Sequence, residues 1–187
     1  LIANCLFADG ASAAVWAGEA LRPGGLASIA GTRSAVHPDS GDQMGWRIGD
    51  HGFVMTLSDR VPATLSGAIG GFVAALRDAG GARHGPVAGW AIHPGGRRIV
   101  EQLGRALGLA EVDLASAYGV LRDCGNMSSA TLLFVLRREL DRLGASAATA
   151  AGAGAPGSAP TDPAGDVVAL GFGPGLSLEG AVLRLER

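Results

Sequence analysis

The apolar residues of this chain change their spacing at Val61, and that change constrains the fold more than any other feature. Before it, Leu26–Val36 is a strand-length apolar run ending at His37-Pro38. Trp46–Ile48 and Phe53–Leu57 then alternate around Gly49-Asp50-His51-Gly52, the pattern of a hairpin. After it, Leu65, Ile69, Phe72 and Leu76 recur with helical spacing, Pro62 falls where a first helical turn tolerates it, and Gly80-Gly81 stops the helix. A strand follows at Val87–Ile92, then a helix at Arg97–Leu107 with Ile99, Leu103 and Leu107 on one face. Leu114–Leu121 reads as a short helix, Cys124-Gly125-Asn126 as a break, and Ser128 to Leu143 as a helix whose first half is apolar nearly all round and expected to be buried. Val167–Phe172 and Leu176–Leu185 close the chain as strands joined through Gly173-Pro174-Gly175. Leu1–Phe7 and Ala11–Ala17 read as two further short strands, and the Ala/Gly-rich stretch Gly144 to Gly165 as a flexible loop. Strands alternating with helices give an α/β fold, a mixed sheet covered by helices.

Composition narrows the function classes. The 187 residues suffice for one domain, and a charged fraction of 17% with 48% apolar residues excludes a disordered chain. A net charge of -2 offers no basic face for nucleic acid. Two cysteines, Cys5 and Cys124, cannot build a disulfide framework, and four scattered histidines lack zinc spacing, so no metal is expected. There is no uninterrupted apolar run of about 18 residues and no positively charged leader, which points to a cytoplasmic protein without a membrane span.

Three segments carry the chemistry: W-A-I-H-P-G-G at Trp90–Gly96, G-N-M-S-S-A at Gly125–Ala130 and G-F-G-P-G at Gly171–Gly175. His93 ends a strand, where open α/β sheets place ligands, and Pro94 holds it extended. Asn126 lies between a glycine and a helix start. On the residues alone His93 is either structural or catalytic, and Asn126 is either a helix cap or a donor into a cleft. G-F-G-P-G joins two strands instead of opening a helix, which excludes a dinucleotide fingerprint and leaves a tight glycine turn.

Together, and in this order, the three segments resemble the type III polyketide synthases, the chalcone and stilbene synthase family. C-L-F-A-D-G-A-S-A-A-V at Cys5–Val15 is similar to the family's corresponding segment. The resemblance implies the C-terminal half of a thiolase-like fold. It makes His93 and Asn126 the catalytic pair for malonyl decarboxylation and thioester carbonyl stabilisation, and Phe7 the aromatic gatekeeper of the cavity. Met55 takes the place of a second gatekeeping Phe of plant members, and Ser128 a cavity-lining position. Gly171, Phe172, Gly173, Pro174 and Gly175 form the loop shaping the cyclisation pocket. The family's nucleophilic Cys matches neither Cys5 nor Cys124, which read as small buried hydrophobes. The chain, starting without Met, is therefore expected to be a half-protein, inactive alone. The resemblance further implies acyl-CoA and malonyl-CoA as substrates, no cofactor, and a homodimer, with alkylpyrone or alkylresorcinol products open. Two rival readings are an initiating ketoacyl-acyl carrier protein synthase and a non-catalytic half that binds acyl-CoA.

Overall fold

The computed structural model describes residues 5–18, 26–80, 87–152 and 165–185, with side chains except at Phe53 and 145–152. Strands β1 (Ala27–Val36), β4 (Val87–Ile92), β5 (Asp166–Gly173) and β6 (Ser177–Leu185) form a sheet of order β1-β6-β5-β4. β1 pairs with β6 and β6 with β5 in antiparallel fashion, whereas β4 and β5 run parallel. A parallel neighbour requires a crossover. Helices α2 (Arg97–Leu107), α3 (Ala115–Cys124) and α4 (Ala130–Gly152) provide it, with a short 3-10 turn at Glu111–Leu114. Helix α1 (Val61–Ala79) joins the hairpin of β2 (Met44–Gly49) and β3 (Gly52–Leu57) to β4.

The periodicities found in the sequence are the buried faces. Helix α1 buries Val61, Leu65, Ile69, Phe72, Val73 and Leu76, and its Pro stands in the first turn, where no intrahelical donor is lost. Helix α2 buries Ile99, Val100 and Leu103. Between the layers, Ala91, Ile92, Val167, Val168 and Leu170 of β4 and β5 are buried almost completely. Strands covered on both faces read as continuous apolar runs, which is how these two appear in the sequence.

Four expectations need correction. Cys5 and Leu6 are helical, and Phe7 makes a single bridge instead of a strand; residues 1–4 lie outside the described residues. Ala11–Ala17 joins no ladder among the described residues, and Val15 and Trp16 are 97% and 63% exposed. An apolar run becomes a strand only where a neighbour accepts its backbone bonds. Helix α4 continues through Gly144 to Gly152, because Ala-rich sequence is strongly helix-forming and needs no apolar face to extend an existing helix; 153–164 lie outside the described residues. In the first half of α4, Val135 is fully buried while Phe134 is 36% exposed, so that half is not buried all round.

Candidate active site

His93 follows directly on β4. Its backbone N–H donates to Leu170 O at 2.8 Å, which extends the pairing with β5 by one residue, and buried Pro94 fixes its backbone. The imidazole stands at the C-terminal end of a parallel strand pair. Burial lowers its pKa from 6.5 to about 4, since the imidazolium would lose hydration there. At neutral pH the ring is therefore uncharged, with one N–H donor and one acceptor nitrogen.

Asn126 reaches the same place from the opposite side of the chain. It is 3% exposed, between the end of α3 and the start of α4. Gly125 has φ +74, and a Cβ on it would lie 2.9 Å from the Ala8 Cβ; only glycine permits that turn beside that neighbour. The Asn126 backbone N–H donates to Leu6 O and its carbonyl accepts from Ala8 N–H, both at 2.9 Å, which places Phe7 alongside in a parallel bridge. In the side chain, Oδ1 accepts the Ser128 N–H at 2.9 Å and Nδ2 donates to Gly95 O at 3.4 Å. Gly95 also borders the imidazole: a Cβ on it would lie 3.7 Å from His93 Cδ2 and 3.8 Å from Nε2. The carboxamide is thus bonded at both ends. Its oxygen organises the turn into α4, and its nitrogen faces the His93 loop.

Of the remaining candidates, Phe7 and Ser128 adjoin Asn126 directly and the others lie on elements connected to the pair. The Phe7 ring meets Trp46 edge-on at 6.2 Å between centroids. Trp46 is the ladder partner of Met55, so the two side chains share one face of the hairpin with Met44. Gly175 N–H donates to Met44 O at 2.9 Å, tying the hairpin to the β5–β6 turn. Gly171, Phe172 and Gly173 end β5, directly after the Leu170 carbonyl that holds His93, and Pro174 is exposed in the turn. Ser128 is exposed, with φ +57, and contributes its N–H to Asn126. A groove of about 1450 Å³ lies elsewhere, lined among others by Val15, Trp16, Ile29, Phe134 and Leu140.

Residues 28–186 match the family model for the C-terminal domain of chalcone and stilbene synthases. The chain belongs to this family. Among curated relatives, 1,3,6,8-tetrahydroxynaphthalene synthase of Streptomyces peucetius subsp. caesius is 36% identical over 138 residues, covering 73% of this chain and 37% of the relative. The alpha-pyrone synthesis polyketide synthase-like Pks18 of Mycobacterium tuberculosis is 28% identical over 191 residues, covering all of this chain and 44% of the relative. Among solved structures, polyketide synthase PKS-I of the brown alga Ectocarpus siliculosus superposes with a TM-score of 0.73 at 30% identity, covering 91% of this chain and 42% of that one. The fold is accordingly thiolase-like, and the chain spans less than half the length of these relatives. No helix among the described residues is long and apolar enough to cross a membrane.

Within this synthase domain the structure corrects one further reading and adds two residues. Cys5 is exposed on the leading segment, and Cys124, at the last turn of α3, is only half-buried and packs against the edge of the core. Trp46 was not singled out in the sequence, although the Met55 position and the hairpin register imply it. Glu139 was hidden in the charged run Arg137–Arg142. Its signal is the four-residue spacing Val135, Glu139, Leu143, which puts it on the buried face of α4.

Proposed function

We propose that this domain supplies the decarboxylation and oxyanion machinery of a type III polyketide synthase. In the complete enzyme an acyl-CoA starter is transferred to a cysteine thiolate carried outside this chain, releasing coenzyme A. Malonyl-CoA then loses carbon dioxide, and the electron pair of the broken C–C bond forms an enolate whose oxygen accepts hydrogen bonds from His93 and Asn126. The enolate carbon attacks the acyl thioester, the cysteine thiolate leaves, and the extended chain is cyclised in the cavity. The observation that carries this reading is the circuit His93–Gly95–Asn126–Phe7–Trp46, closed through Met44, Gly175 and β5. It sets a neutral donor ring and a carboxamide nitrogen against one loop, beside an apolar wall. Preorganised donors aimed at developing charge are the largest single contribution in many enzymes.

Phe7, Met55 and Ser128 are assigned to the substrate cavity, together with Gly171, Phe172, Gly173, Pro174 and Gly175. The apolar hairpin face favours an aliphatic starter and an alkylpyrone or alkylresorcinol product. Coenzyme A thioesters are the only small molecules this chemistry needs, the working form is a homodimer, and the enzyme is cytoplasmic. The test is to assay the chain alone and joined to the cysteine-bearing portion, with an acyl-CoA and malonyl-CoA. Pyrone or resorcinol products from the joined protein alone are expected, because without a thiolate no acyl-enzyme forms. Condensation by the isolated chain, dependent on Cys5 or Cys124, contradicts the assignment.

A further inference from the structure

One carboxylate in the charged run of α4 never reaches solvent. Glu139 is 0% exposed, and both its oxygens are engaged. Oε1 accepts the Trp90 backbone N–H at 3.2 Å and Arg142 Nη2 at 2.5 Å. Oε2 accepts the Ser116 hydroxyl at 2.6 Å and Arg142 Nε at 3.1 Å. Gly89 makes the room: a Cβ there would collide with Oε1 and displace the carboxylate from its bonds.

Each bond leads to an element that carries part of the site. Trp90 is in β4, three residues before His93. Ser116 is in the first turn of α3, which ends at Cys124 and delivers the chain to Asn126. Glu139 itself rides on α4, which starts from the turn that the Asn126 carboxamide organises. Among the described residues β4 is the outer strand of its sheet, and its buried Trp90 N–H donates to this carboxylate where a further strand would otherwise accept it. A buried ion pair is a weak source of net stability compared with apolar packing, and its best-attested use is to fix register.

We propose that Glu139 is a positioning residue: one buried carboxylate, bonded to β4, α3 and its own helix, holds His93 and Asn126 at their working separation. Glu139 touches neither residue and takes no part in the chemistry. The inference rests on the catalytic roles proposed above, and its test includes a readout independent of them. In the joined synthase, Glu139→Leu should lower kcat for malonyl-CoA decarboxylation by about 10- to 100-fold with KM nearly unchanged, the effect of slight misplacement of reacting groups. Glu139→Gln still offers an oxygen to Trp90 and an amide to Ser116, and should restore most of the rate. In the 15N-labelled 187-residue chain, Glu139→Leu should shift the His93 ring and Asn126 side-chain amide resonances, and Glu139→Gln should leave both near their original positions. Should Glu139→Leu fail to fold, Ser116→Ala breaks only the α3 bond and should move the Asn126 amide alone; an unmoved amide overturns the proposal. A Glu139→Leu protein with a lower thermal midpoint but unchanged kcat and unchanged resonances also overturns it. If the unsubstituted synthase does not decarboxylate malonyl-CoA, the functional reading fails, and the resonances still decide the positioning role.

Discussion

The two edges of the sheet differ in what covers them. The β4 edge is sealed: α4 packs across it, Glu139 takes the Trp90 N–H, and Ala91 and Ile92 are 0% exposed. Among the described residues the β1 edge is open, with Ile29 and Val36 47% and 71% exposed, and the leading segment that shares a groove with it leaves Val15 and Trp16 97% and 63% exposed. His93 and Asn126 belong to the sealed side. A site that must hold donors to a fraction of an ångström is built where packing and buried bonds over-determine the backbone.

Substitutions can sharpen this contrast, beginning with the largest effect. Ile92→Ala removes a fully buried side chain one residue before His93 and should cost about 2–5 kcal/mol in chemical denaturation. A loss no greater than that of an edge substitution would mean that the sealed side is not the rigid one.

The next effect is electrostatic. The His93 pKa is lowered from 6.5 to about 4 in the folded chain, so between those values the unfolded chain binds the proton and the folded chain does not. Stability from this group is therefore complete above about pH 6.5 and is lost as pH falls toward 4, up to about 3 kcal/mol in all. His93→Gln should flatten the pH dependence of unfolding in that window. An unchanged slope would place the imidazole in water.

Smallest is the open edge. Val36→Thr keeps a β-branched side chain at a 71% exposed position and should alter stability by no more than about 0.5 kcal/mol. A larger loss would show that this edge is covered in solution.

Legibility in the sequence follows the same division. Strand β4 and helix α2 have the bounds that the apolar pattern predicts, because each buries one continuous face or stripe, although Leu107 of the expected α2 face is only half-buried and Val100 is buried beside it. The hairpin, α1 and the closing strands were legible for the same reason. Ala11–Ala17 was misread because an apolar run does not say whether a neighbouring strand exists. Gly144–Gly152 was misread because loop-like composition conceals the helix propensity of alanine. His93 and Asn126 were legible as motifs, but their meeting at Gly95 depends on a crossover of three helices that no local pattern encodes. Glu139 escaped notice because a buried acid inside a charged run looks like a solvated face.

The central claim is that His93 and Asn126 donate to one developing oxyanion, and a double-mutant cycle on malonyl-CoA decarboxylation in the joined synthase tests it most directly. His93→Ala and Asn126→Ala should each slow decarboxylation by about 100- to 1,000-fold. The double variant should be far less impaired than the product of the two losses, because donors to one oxygen act as a unit. Normal decarboxylation by Asn126→Ala, or losses that simply multiply, would contradict the account and leave Asn126 as the residue that starts a helix.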